Sequence, residues 1–195
     1  MKKAFLLVTI LFVSVISTAC INNFAVQELN SKAKTYLDSG DFESAIGRLK
    51  SSVDLDSTIF ETHYNLGIAY TQAEKYPEAV DSFKKAIKLN PEFADTYYSL
   101  AVAQENFAKG IIDGSLKQKG DGKQETEKES EDAPKEVKLT KEDKQQITEL
   151  FNDSIESYTA YLEKGKEIKD KKDVEDKIEY LKTQITKYSP ESKKQ

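Results

Sequence analysis

The strongest constraint on the fold is a self-similarity at an offset of 34 residues. Tyr36 recurs as Tyr70, Phe42 as Tyr76, Ala45 as Ala79 and Leu49 as Phe83, while the small residue Ala33 returns as Gly67 and again as Ala101. A unit this short has no core of its own and buries its apolar face only by stacking on the next copy. Each period reads as two amphipathic helices and a tight turn. Leu66 and Tyr70 share a face of a first helix, and Ala79, Phe83, Ala86 and Ile87 mark a face of the second. Asp38-Ser39-Gly40-Asp41 supplies a turn, Pro77 sits in a first helical turn where its missing N–H costs little, and Pro91 closes the second unit. Gly67, Ala101, Ala45 and Ala79 let neighbouring helices approach closely. An all-α chain of stacked helix pairs follows.

These residues resemble the tetratricopeptide repeat (TPR). The second unit matches it at His63, Leu66, Gly67, Tyr70, Ala79, Phe83, Ala86 and Pro91. The first unit, residues 26–59, departs at Lys32, Ser52 and Asp56, and the third opens with Tyr97, Leu100 and Ala101 but has Gln104 where the family has tyrosine. The resemblance implies a short α-solenoid whose first helices line a concave, peptide-binding face. Carried onto this sequence, that groove comprises Asn30, Lys34, Tyr64, Ile68, Thr71, Tyr98, Val102 and Glu105, with Gln27, Leu37, Glu61 and Asp95 beside them. Its centre, Tyr64, Ile68, Tyr98 and Val102, is more apolar and aromatic than a solvated face, and such anchors dominate binding energies. The competing expectation is that the N-terminal segment, the insertion or the cap covers them. Some relatives hold a partner's C-terminal carboxylate here with basic side chains. Asn65 fits one such position, but Asp95 and Ser99 stand where cations are needed, so that clamp is not expected.

The third repeat is interrupted. Half of the residues from Lys109 to Gln146 are charged and none is aromatic, a composition that buries too little apolar area to offset its ordering entropy. A disordered insertion is expected over 109–139. Thr140-Lys141-Glu142-Asp143 then resembles a capping box opening a helix to about Lys164, in which Ser154, Tyr158 and Tyr161 complete the third unit. A last helix from Asp170 carries Val174, Ile178, Leu181, Ile185 and Tyr188 as one apolar stripe, suited to capping the array. The expected organisation is a leader (1–19), repeats and the first helix of unit three (20–108), the insertion (109–139), the completing and capping helices (140–188) and a tail (189–195).

The leader has Lys2 and Lys3, an apolar run from Ala4 to Ile16, then Ser17-Thr18-Ala19-Cys20, the pattern of an export signal. The sole cysteine after small residues resembles the lipobox of a bacterial lipoprotein, which implies lipidation at Cys20 and an envelope location facing the periplasm or exterior. Ser17 stands where a lipobox usually has leucine. Ordinary signal cleavage and an uncleaved anchor ending near Ile21 therefore stay open.

Composition narrows the chemistry. A net charge of −5 argues against nucleic-acid binding, and one Cys with one His leaves no intramolecular disulfide and no histidine-rich metal site. His63 occupies a packing position of the repeat. No nucleophile–base pair, phosphate loop, zinc pair or calcium loop is found, so no cofactor, metal or catalytic residue is assigned and the chain reads as a non-enzyme. The expected function is a membrane-tethered adaptor whose groove takes a protein or peptide partner, with envelope-complex assembly as its setting. The alternative is a structural envelope protein that self-associates through its repeats or last helix.

Overall fold

The computed structural model describes residues 23–116 and 137–189. The leader, Cys20 and residues 117–136 of the expected insertion lie outside them. Among the described residues there are only helices: α1 over 23–38, then α2 (Phe42–Leu55), α3 (Phe60–Gln72), α4 (Tyr76–Leu89), α5 (Ala94–Ile112), α6 (Lys141–Lys164) and α7 (Lys171–Tyr188). The chain divides into two compact units at Pro91. Helices α1 to α4 build the first and α5 to α7 the second.

In the first unit the 34-residue period is visible in the backbone. Asp41 N–H donates to the Tyr36 carbonyl at 2.9 Å and Lys75 N–H to that of Tyr70 at 2.8 Å, while Gly40 and Glu74 N–H close the same shorter turn onto Leu37 and Thr71. Both turns need a left-handed residue. Gly40 has φ 78°, and at the equivalent position Glu74 has φ 58°, which costs a side chain about 1 kcal/mol or more. Behind the turns Ala33, Ala45, Leu49, Ala69, Ala79, Phe83 and Ala86 are fully buried. Small residues stand at the crossings, and at Gly67 an added Cβ would lie 2.6 Å from the Phe83 ring.

The second unit is an antiparallel α5–α6–α7 sequence. Its core joins Ala101, Ala108 and Ile111 of α5 to Ile147, Phe151 and Tyr158 of α6 and to Val174 and Leu181 of α7. Ser154 Oγ donates to the Ala101 carbonyl at 2.9 Å, so this small residue lets α6 touch the α5 backbone. Helix α5 is longer than the sequence indicates. Residues 109–112, assigned to the insertion from composition, continue the helix because Gly110 and Ile111 are buried, and Val137 and Leu139 on the far side also pack, against Gly114 and the core respectively. The capping box at Thr140 forms in both directions: Asp143 N–H donates to Thr140 Oγ1 at 3.0 Å, and Thr140 N–H to Asp143 Oδ2 at 2.8 Å. Thr140→Ala should therefore cost about 1 kcal/mol, read as a lower urea midpoint at unchanged slope. Helix α7 buries Val174 and Leu181 and partly buries Ile178, Ile185 and Tyr188. Among the described residues no helix is long and apolar enough to cross a membrane.

Candidate functional site

The site-bearing helix of the first unit is α3. His63, Leu66, Gly67 and Ala69 are buried, which fixes the rotation of the helix and turns Tyr64, Ile68 and Thr71 to another side, where all three are half-buried. His63 is 4% exposed, and its Nε2 donates to the Ser57 carbonyl at 2.8 Å, a structural anchor for the start of α3. Tyr64 stacks on Phe60 with ring centres 6.0 Å apart and planes at 23°, and meets Phe83 at 6.0 Å and 59°. Phe60 thereby extends the stripe one turn toward the N-terminus. The sequence reading missed it although its spacing of four from Tyr64 and eight from Ile68 is a legible signal. Thr71 Oγ1 donates to the Gly67 carbonyl at 2.9 Å, so its hydroxyl is satisfied within the helix. Lys34 is exposed on α1.

Asn30 is placed differently from the expectation. Its Nδ2 is within hydrogen-bond distance of the Val26 carbonyl, Ser52 Oγ at 2.9 Å and Thr62 Oγ1 at 3.0 Å. It therefore ties α1 to α2 and α3 and offers little to a ligand. Ser52, one of the departures from the repeat pattern, is the matching partner.

In the second unit Tyr98, Val102 and Glu105 are drawn into packing. Tyr98 sets its ring edge-on against Tyr158 at 5.6 Å and Tyr161 at 5.2 Å, and Val102 packs on the same core. Glu105 is 5% exposed. Its Oε1 pairs with Lys109 Nζ at 2.5 Å, and its Oε2 accepts from Tyr158 OH at 3.1 Å and lies 3.5 Å from Lys177 Nζ of α7. Burial alone raises the carboxyl's pKa, but the two ammonium groups and the phenol outweigh it and hold Glu105 below its ordinary value; the same burial and the adjacent carboxylate push Tyr158 far up. Glu105 is thus a structural charge inside the helix trio and not a groove residue. Tyr161 OH also donates to Asp170 Oδ1 at 3.1 Å, tying the α6–α7 turn.

A separate cleft of about 250 Å³ lies in the first unit between α2 and α4, over Leu66 and Tyr70. Lys50 and Lys85 stand on its rim with Asp54, Glu78 and Asp81, so it carries a slight excess of negative charge. Among the described residues no group of three or more His, Cys, Asp or Glu could hold a metal ion.

Residues 60–93, one full period, match the tetratricopeptide repeat family. No curated protein matches the chain. Among solved structures, the first TPR of Spaghetti (RPAP3), bound to HSP90 peptide SRMEEVD, is similar with a TM-score of 0.56 at 14% identity, over 83% of this chain and 93% of that one. The second TPR domain of human RPAP3, in complex with HSP70 peptide SGPTIEEVD, gives 0.56 at 13% identity, over 83% and 98%. The Arabidopsis OM64 TPR domain gives 0.55 at 12% identity, over 84% and 98%. The chain therefore has the fold of TPR domains and carries at its centre one repeat that the family recognises directly.

Proposed function

We propose that the protein is a non-enzymatic adaptor of the bacterial envelope, tethered through its N-terminal segment at Cys20, that binds a protein or peptide segment on the α3 face. The observation that carries the binding role is the stripe of Phe60, Tyr64 and Ile68, partly open beside a repeat whose other side is filled. Two proteins of the same fold bind peptides, as in the HSP90 and HSP70 complexes above. Those peptides end in an acidic EEVD sequence. Helix α3 contributes Glu61 and Asn65 but no lysine or arginine, so the segment it suits is apolar or aromatic and not an acidic terminus. The tether rests on the apolar run from Ala4 to Ile16 and on the sole cysteine behind it; incorporation of labelled fatty acid that disappears in Cys20→Ser tests it.

A photo-crosslinking residue at Tyr64, with exposed Lys84 on α4 as control, should capture one partner only from Tyr64. Tyr64→Ala should weaken that partner by more than about 1 kcal/mol, roughly fivefold or more in Kd, in a protein that still folds but melts at a lower temperature, because the ring also packs on Phe60 and Phe83. Equal capture at both positions, or unchanged affinity, would remove α3 from the binding role, and capture of the chain by itself would favour self-association.

A further inference from the structure

Three strongly exposed large apolar side chains of the first unit share one edge of it. Phe24 is 71% exposed, Leu55 42% and Leu89 40%. Their common placement follows from the alternation of the helices. Asn30 on α1 meets Ser52 on α2 and Thr62 on α3. Phe24 lies six residues, about 9 Å, before Asn30, and Leu55 lies three residues, about 4.5 Å, beyond Ser52 in the same direction. On α4, Phe83 touches Tyr64, and Leu89 lies a further six residues, about 9 Å, toward the start of α3. The starts of α2 and α4 meet at the opposite edge, where Lys75 pairs with Glu43 at 2.7 Å. The apolar edge is thus formed by the first residues of α1 and α3 and the last residues of α2 and α4, with half-buried Ile59 and Phe60 between them.

This is also the edge at which the N-terminal segment joins α1. Phe24 is four residues from Cys20 and eight from the end of the apolar run at Ile16, distances that a chain cannot stretch beyond about 14 and 28 Å. Resting on the tethered reading above, we infer that this edge of the first unit lies against the lipid surface, with Phe24, Leu55 and Leu89 entering the interfacial layer. The contact is apolar in kind. Asp54, Asp56 and Glu61 at the same edge outnumber Lys88, so attraction to anionic headgroups is not its source, and a zwitterionic surface suits it. Within the first unit, the orientation leaves the turns at Gly40 and Glu74 farthest from the membrane.

The test uses the full chain reconstituted in phosphatidylcholine vesicles, with a fluorescent amino acid placed singly at Leu55, Leu89, Ser39 or Glu74, and lipids brominated near the headgroup as quencher. All four positions are exposed, and an unchanged far-UV circular dichroism spectrum is required of each variant before its quenching is read. Quenching at Leu55 and Leu89 should be at least twofold stronger than at Ser39 and Glu74, and unaffected by 0.5 M salt. Vesicle flotation with equal, weak quenching at all four would overturn the edge contact and leave the tether standing. Failure to float would overturn the tether and this inference with it. A blue shift at Leu55 and Leu89 that grows with protein concentration in lipid-free detergent would show that a second copy covers the edge, also overturning it.

Discussion

Gly67→Leu is expected to destabilise the first unit by about 1–3 kcal/mol or more, the range for forcing extra methylenes into a filled core, with a fall in Tm of roughly 4–8 °C per kcal/mol for a unit of this size. Three ring carbons of Phe83 would lie 2.6 to 2.8 Å from an added Cβ. The ring is 0% exposed and is backed by Tyr64 at 6.0 Å, so it has no solvent to move into. Gly67→Ala separates packing from propensity. An interior alanine gains about 1 kcal/mol of helix propensity over glycine, and a net loss would mean that the clash exceeds this gain. Phe83→Leu should then recover part of the loss in the Gly67→Ala background, a coupling that adjacent side chains show and distant ones do not. Melts followed by far-UV circular dichroism decide it. An unchanged midpoint in Gly67→Leu would show that α3 and α4 are not pressed together at this crossing.

The same residue shows why the repeat was legible in the sequence. Gly67 and Phe83 carry the stacking contact within one period, and the turn hydrogen bonds at Asp41 and Lys75 repeat at the same offset, so periodicity alone finds them. Asn30 and Glu105 were not legible in that way. Helical counting puts both on the groove face, but Asn30 is claimed by Ser52 and Thr62, and Glu105 by Tyr158 and Lys177, partners 53 and 72 residues distant. A polar side chain on a counted face goes where its hydrogen bonds are satisfied, and no local pattern reveals partners that lie on other helices. The end of α5 was misread for a related reason. Gly110-Ile111-Ile112-Asp113-Gly114 has the composition of a loop, yet Ile111 joins Ile147 in the core, and tertiary burial overrides the weak helix propensity of the glycine. By contrast, the Thr140 capping box was readable because all its partners lie within four residues.

Glu105 leads to the second large effect. Its carboxyl is held below the ordinary value of 4.5 because Lys109, Lys177 and Tyr158 more than offset its burial. A depressed folded-state pKa contributes stability that is fully present above the unfolded value and is lost as pH falls through the folded one, so in the native protein this group favours folding at neutral pH. Lys109→Met with Lys177→Met would leave the carboxylate buried with only the Tyr158 hydroxyl. Orphaning one member of a buried pair costs about 3–5 kcal/mol. Here about 2–3 kcal/mol is expected at pH 7, because the two lysine side chains are 50% and 42% exposed and part of their attraction is already screened by water. The sign of the pH dependence should also invert. Without its cations the desolvated carboxyl prefers the protonated form, its folded-state pKa rises above the unfolded one, and the double variant should lose less stability than the native chain, or gain some, between pH 7 and pH 4.5. Glu105→Gln added to the double variant removes the buried charge, keeps a side chain able to accept from Tyr158, and should restore most of the loss while flattening the difference. Urea midpoints at the two pH values for the native, double and triple forms provide the measurement. Equal stability of native and double forms at pH 7, with the same pH slope, would mean that the carboxylate does not depend on these lysines. Recovery in the triple form would locate the penalty on the unpaired charge of Glu105 itself and show that the lysines act by compensating it.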